Sequence, residues 1–297
     1  MKKIHLVLQP DQFTSFTSYY LEEYWRKSFE ISAYDPNKTY DRSGTVFVFW
    51  WMNADDKLPA KLRDTGYLVA VDHLWEYPQA RKDFYWIEHH DWFRLNESLW
   101  WNAMDYHRYM PSKCLTHRAL VAMNQHKPSR DIFFDSLAPW LDQCIWSYGE
   151  KSLPNDIDRS FPEWQRFMNP QWYDSTFCSI AVETRIDTVW ATEKSFKPMA
   201  FYHPSIFLSA PGHLSKMKSL GFETFDNIID ETYDKIENYD DRCRAIIDIV
   251  GNLELGNYDS ETQKRLQHNH DHFFDETLVE AVIHREIVEP LLEYAAI

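Results

Sequence analysis

The chain has 297 residues, more than one compact core usually needs, and its 44% apolar and 26% charged residues fit a soluble globular protein of two domains. A formal charge of −15 excludes general attraction to phosphate backbones, so any polyanion requires a local basic patch. Four scattered cysteines without a CxxC pair exclude a zinc signature and a small-domain disulfide framework, and fit reduced thiols.

In chain order, the opening MKKIHLVLQPDQF has an apolar run too short for a secretory signal, and no later stretch reaches membrane-spanning length. A cytoplasmic location is therefore expected. Runs rich in β-branched and aromatic residues predict strands at 4–8 (IHLVL), 45–51 (TVFVFWW), 67–71 (YLVAV) and 84–88 (FYWIE). Between them, FTSYYLEEYWRKSF and DDKLPAKLRDTG have helical spacing, the second with a stop at Gly66. The pattern breaks at MPSK and a second series begins. It comprises a strand at 118–123, a helix from Arg130 to about Leu141, strands CIWSY and FCSIAVE, a helix from Thr192, the strand PSIFLSA and the helix HLSKMKSLG. The tail from Ser260 is helical, interrupted by Pro290.

Alternating strands and helices imply parallel sheets with right-handed crossovers. The expected fold is α/β with two Rossmann-like domains facing a cleft: an N-terminal domain over 1–112, a C-terminal domain over 113–275, and a helix over 276–297 returning to the first domain.

Two helix starts carry charge of the wrong sign for the backbone dipole. Thr192 is a plausible N-cap and Glu193 suits the first turn, but Lys194 and Lys197 do not. Lys127 and Arg130 likewise precede or open the helix after 118–123. Lysines at one helix start can simply point to water. Two such starts at the carboxyl ends of strands are better explained by a shared anion, a phosphate or diphosphate held by exposed N–H groups and cations. Glu183, ending its strand, either accepts ribose hydroxyls or faces water, and Trp190 either stacks on a base or sugar or joins the core. With no GxGxxG and no GxxxxGK[ST], ordinary dinucleotide and P-loop sites are disfavoured.

The run from Glu183 through Trp190 and TEKSFKP to Pro211 and Gly212 resembles the donor-binding signature of fucosyltransferases, and is similar to phage-encoded glycosyltransferase-like proteins with a TEKxFKP form. The NQHKPSR stretch from Asn124 to Arg130 matches the same group. The resemblance covers about 118–225. It implies a GT-B-like glycosyltransferase whose C-terminal domain holds a nucleotide diphosphate sugar, with no tightly bound cofactor. Glu193 would touch the ribose, Lys194 and Arg130 would neutralise the diphosphate, and Glu183 would orient sugar or ribose. Trp190 stands where Tyr or Phe is usual, and FYHP at 201–204 replaces a customary Ala-Gly pair, so the resemblance does not assign the sugar.

Transfer needs a base for the acceptor hydroxyl. Asp72, just after YLVAV, is the first choice and His73 and Glu76 are rivals, although a strand-ending Asp also commonly caps a turn. Gln9 and Asp11 fall on the same expected side. Neither the alternating His268, His270 and His272 nor the adjacent His89, His90 and Asp91 is spaced for chelation, so no metal is expected. The acceptor stays open among a modified base of phage DNA, a saccharide and a small molecule. If the chain is phage-encoded, its location is the host cytoplasm. The alternative from another class is a non-catalytic protein that sequesters a nucleotide or nucleotide sugar.

Overall fold

The computed structural model describes residues 4–8, 29–33, 35, 37–39, 45–50, 67–72, 85–88, 92–123, 125–149 and 169–295. The chain divides into two compact units, one of Met1–Trp100 with Asp275–Ile297, the other of Trp101–Phe274.

The first unit holds five parallel strands, β1 (Ile4–Leu8), β2 (Phe29–Ala33), β3 (Thr45–Trp50), β4 (Tyr67–Asp72) and β5 (Tyr85–Glu88), in the order β2-β1-β3-β4-β5. Four of these match apolar runs expected from the sequence. The fifth, β2, has a short alternating sequence, FEISA, which directly follows amphipathic residues and reads as the end of a helix. Its register, Ile4 opposite Phe29 through Leu8 opposite Ala33, makes it the edge strand beside β1, and Glu30 is exposed there. In β4, Asp72 is the last residue, in register with Glu88 of β5. Gln9, Asp11, His73, Glu76, His89, His90, Asp91 and both predicted helices between these strands lie outside the described residues, apart from Phe29.

Helix α1 (Trp92–Ala103) carries the division between the units. The second unit has four parallel strands, β6 (His117–Ala122), β7 (Cys144–Ser147), β8 (Thr176–Val182) and β9 (Ser205–Leu208), ordered β7-β6-β8-β9. All seven residues of β8 are buried, as a strand covered on both faces requires. The free edge at β9 is not left open, because the Phe207 N–H donates to the Tyr233 hydroxyl at 3.0 Å.

Helices α2 (Pro128–Leu137), α3 (Pro170–Ser175), α4 (Glu193–Ala200), α5 (His213–Ser219), α6 (Tyr239–Asn252) and α7 (Ser260–Phe273) complete this unit. Pro128 opens α2 with its φ already suited to a helix, two residues earlier than the sequence reading placed the start. Helix α6 is not among the elements expected from the sequence, although Asn238 caps it by accepting from Asp241 N at 3.0 Å and Cys243, Ile246 and Val250 form its buried stripe. In the first unit the tail forms α8 (Glu276–Ile283), a π turn (His284–Val288) and α9 (Glu289–Ala295) in one continuous run, with the π turn just before Pro290, whose missing N–H leaves the ladder one bond short.

From β6 the chain crosses by α2 to β7 on one side, and from β8 it crosses by α4 to β9 on the other. With right-handed crossovers, α2 and α4 lie on opposite faces of the sheet. Consistently, α2 packs on α6 and α4 on α7. The strand order therefore reverses between β6 and β8. At their carboxyl ends the two connections part, leaving the crevice where open α/β sheets take ligands.

Candidate functional site

Both cation-bearing helix starts flank this crevice. On the β6 side, Lys127 is the extended residue before α2, and its carbonyl accepts from the N–H groups of Arg130 and Asp131, both at 2.9 Å. Arg130, at the third helical position, reaches across to β8. Its guanidinium donates to the Val182 carbonyl at 3.4 Å, to Thr184 Oγ1 at 3.1 Å and back to the Gln125 carbonyl at 3.3 Å. Arg130 is 3% exposed, yet its Nε has no partner. A guanidinium has five donors, and here three long bonds leave capacity unused.

On the β8 side, the chain turns at Glu183 and re-enters a helix at Glu193. Thr192 occupies the N-cap position, as expected, but its hydroxyl does not cap α4. Instead it donates to Glu183 Oε2 at 2.6 Å, while Thr192 N and Ser195 Oγ donate to Glu183 Oε1 at 3.0 and 2.7 Å. The 1%-exposed Glu183 carboxylate thus supplies the negative charge at the positive end of α4. Both oxygens are thus engaged within the chain, and Glu183 does not face water.

The misfit of Lys194 also finds its local explanation here. Its ammonium lies 2.9 Å from Glu193 Oε1, 3.7 Å from Glu183 Oε2 and 3.0 Å from Thr192 Oγ1. Burial works against the charged lysine, but Glu183 and Glu193 outweigh it and raise its pKa above the ordinary value. Burial likewise opposes ionisation of Glu193, yet Lys194 and then Lys197 overcome it and hold the carboxyl at about 2. Arg130 shares this field: burial lowers its pKa, and Glu183 and Glu193 oppose the shift. Arg130, Lys194 and Lys197 thus share one electrostatic neighbourhood with the carboxylates Glu183 and Glu193. Lys194 and Glu193 are each about one-fifth exposed, so both can be reached from solvent.

Pro198 sits inside α4 and has no N–H for the Lys194 carbonyl one turn earlier. Trp190 is half-buried in the approach to the helix. Asn124 lies outside the described residues. The structure thus brings Arg130, Glu183, Thr192, Glu193 and Lys194 together at the strand ends.

Two further residues, Ser195 and His213, join the site beyond those expected from the sequence. Ser195 is fully buried beneath Lys194 and bonds His213 Nε2 at 3.0 Å as well as Glu183. His213, the first residue of α5, is fully buried with Nδ1 unpartnered, and burial lowers its pKa to about 4. A third orphan, the hydroxyl of Ser209 just past β9, lies on the same strand-end loop as His213. A short polar residue on the otherwise apolar face of α4, as Ser195 is, could have flagged such a network.

Elsewhere in this unit, a cleft of about 670 Å³ opens beside α5, but Asp226, Asp230, Glu231, Asp234 and Glu237 outnumber Lys218 and Lys235 in its lining. Its charge is wrong for a phosphate. His268 and His272, one turn apart on α7, stack at 5.6 Å and bond the carbonyls of Gly221 and Leu220 with their Nε2 atoms, while His270 stacks on Tyr202. These histidines close the end of α5. Among the described residues no group of three or more His, Cys, Asp or Glu is placed to hold a metal, and no helix is long and apolar enough to cross a membrane.

No protein-family model matches the chain, and no curated protein matches it. Solved structures to which it is similar include a crystal structure of alpha1,3-fucosyltransferase, 12% identical over 93% of this chain and 92% of that one, with a TM-score of 0.47. Others are alpha1,3-fucosyltransferase with GDP-fucose, 12% identical over 92% and 90% with a TM-score of 0.45, and with GDP, 11% identical over 93% and 92% with a TM-score of 0.41. At these values the likeness assigns no activity to this chain.

Proposed function

We propose that the chain is a glycosyltransferase that moves a sugar from a nucleotide diphosphate donor to a hydroxyl acceptor, with the donor held by the second unit. The observation that carries this reading is Arg130 spanning from α2 to the end of β8, with an unpartnered Nε, beside Lys194 at the point where the strand order reverses. The TEKxFKP resemblance supports it independently. In the transfer, the acceptor oxygen bonds to the anomeric carbon as the carbon–oxygen bond to the diphosphate breaks. The acceptor proton passes to a base, and the departing diphosphate takes the bonding electrons. Lys194 and Arg130 answer the charge that develops on the leaving group, an electrostatic contribution that is typically large in such steps. Asp72 at the end of β4 is assigned as the base, with His73 and Glu76 as alternates. Glu193 and Trp190 are assigned to the nucleoside, and Lys127 and Lys197 to the rim of the diphosphate site. The acceptor classes are a saccharide, a small-molecule hydroxyl and a hydroxymethylated base of phage DNA.

The test is incubation with a panel of nucleotide sugars, with and without these acceptors, reading released nucleotide diphosphate and thermal shift. Turnover that requires an acceptor is expected. A second reading, a non-catalytic nucleotide-sequestering protein, uses the same crevice without a base; stabilisation by nucleotide without turnover would select it.

A further inference from the structure

Ser195 lies between two connections that the fold could have left independent, the one after β8 and the one after β9. Its hydroxyl donates to Glu183 Oε1 at 2.7 Å, so towards His213 Nε2, 3.0 Å away, it must accept. That requirement fixes the proton of His213 on Nε2, and burial keeps the ring neutral. His213 follows Gly212, whose φ of +88° turns the chain from β9 into α5. The Glu183–Ser195–His213 line is therefore a buried strut joining the end of β8, the first turn of α4 and the start of α5. Ser195 is also the residue directly after Lys194.

We propose that this strut positions the Lys194 ammonium for a diphosphate, making Ser195 and His213 positioning residues for donor binding. The proposal rests on the reading of the crevice as a diphosphate site. The physical link is competition for one carboxylate. Glu183 accepts from Thr192 N, Thr192 Oγ1 and Ser195 Oγ, so it holds Lys194 only at ion-pair range, 3.7 Å. Removing the Ser195 hydroxyl frees an acceptor site on Oε1, and the Lys194 ammonium already stands 3.7 Å from the other oxygen of the same carboxylate. Drawn inward, the ammonium is lost to an incoming phosphate. Losing His213 Nε2–H has the same effect at one remove, because the Ser195 hydroxyl is then free to turn from Glu183.

The experiment titrates inorganic pyrophosphate, the four common nucleoside diphosphates and their nucleosides into the full chain and into Ser195→Ala, His213→Leu and His213→Gln. Gln places an N–H where Nε2–H stood. Expected are a loss of about tenfold in diphosphate affinity for Ser195→Ala and His213→Leu, the scale of one charge-assisted hydrogen bond, with no change for the nucleosides. His213→Gln should recover most of the loss. If the native chain binds neither pyrophosphate nor any nucleoside diphosphate, the diphosphate reading falls and the strut's role with it. If the native chain binds and the variants bind equally well, the strut is overturned while the site stands. Equal losses for diphosphate and nucleoside would show a merely structural role and also overturn it. Should Ser195→Ala fail to fold, the His213→Leu and His213→Gln pair decides the matter.

Discussion

Glu183 grips Thr192 twice, one carboxylate oxygen taking the backbone N–H at 3.0 Å and the other the hydroxyl at 2.6 Å. A buried acid at the end of a central strand thereby acts as the cap of the following helix, and the nine-residue separation between the two residues is closed into one rigid turn. Glu183→Gln keeps the shape but must turn its amide N–H₂ either to the Thr192 hydroxyl or to both the Thr192 N–H and the Ser195 hydroxyl, all three of which donate to the carboxylate. A cost of about 1–3 kcal/mol is expected from the donor left without an acceptor. Denaturant melting of the second unit's transition checks it, and Glu183→Asp, one methylene short of both bonds, should not restore the native value.

The roles proposed for Lys194 and Asp72 predict different defects for two variants. Lys194→Ala should weaken nucleoside diphosphate binding at least tenfold, as loss of a charge-assisted contact does. Asp72→Ala should leave that binding unchanged while abolishing transfer. Binding titrations and nucleotide-release assays on the same preparations separate the two, and equal binding losses would contradict the assigned roles.

Acid stability contains two opposed contributions within the second unit. Burial raises the Asp234 carboxyl to about 6, against the opposing pull of the Leu214, His213 and Gly212 N–H groups. A raised acid favours the folded state at low pH, so its contribution is present below about 3.8 and is lost as pH rises to about 6. His213 runs the other way: its pKa of about 4, lowered by burial, gives a contribution present above 6.5 and lost as pH falls towards 4. Asp234→Asn should therefore steepen the acid destabilisation and His213→Gln should flatten it, each by on the order of 2 kcal/mol over the window. Thermal melts between pH 4 and pH 6.5 give the slopes.

Tyr202, which carries a Cβ, adopts a left-handed backbone, φ +48°. Such a conformation costs a residue with a Cβ about 1–2 kcal/mol. Packing holds it there: the ring stacks on His270 at 4.1 Å between centroids and is 91% removed from solvent, with 9% exposed. Tyr202→Gly relieves the strain but removes a buried aromatic worth about 3–5 kcal/mol. A net loss of about 2 kcal/mol is expected. The hydroxyl contributes little, since its bond from Gln267 is 3.5 Å long, so Tyr202→Phe should be close to neutral by chemical denaturation.

The sequence made the strand framework legible because a parallel strand buried on both faces is a continuous apolar run, as β8 shows. It did not reveal β2, whose five residues follow a helical pattern without a break, and α6 lay in a segment where charged residues alternate with the stripe. At the site, cations at Lys194 and Arg130 were legible from charge against dipole. Their partners were not: Glu183 reaches Thr192 and Ser195 only after the loop folds back, and His213 joins from another connection altogether. Such pairings are set by which strands neighbour one another, a property that local periodicity does not encode.

The central claim is that Arg130 and Lys194 flank a diphosphate at the crevice between β6 and β8. Isothermal titration of the native chain and of Lys194→Ala with nucleoside diphosphates tests it most directly. Saturable one-to-one binding in the native chain, at least tenfold weaker in the variant and weakened by salt, is the predicted result. Binding of equal strength in both proteins, or none in the native chain, would contradict it.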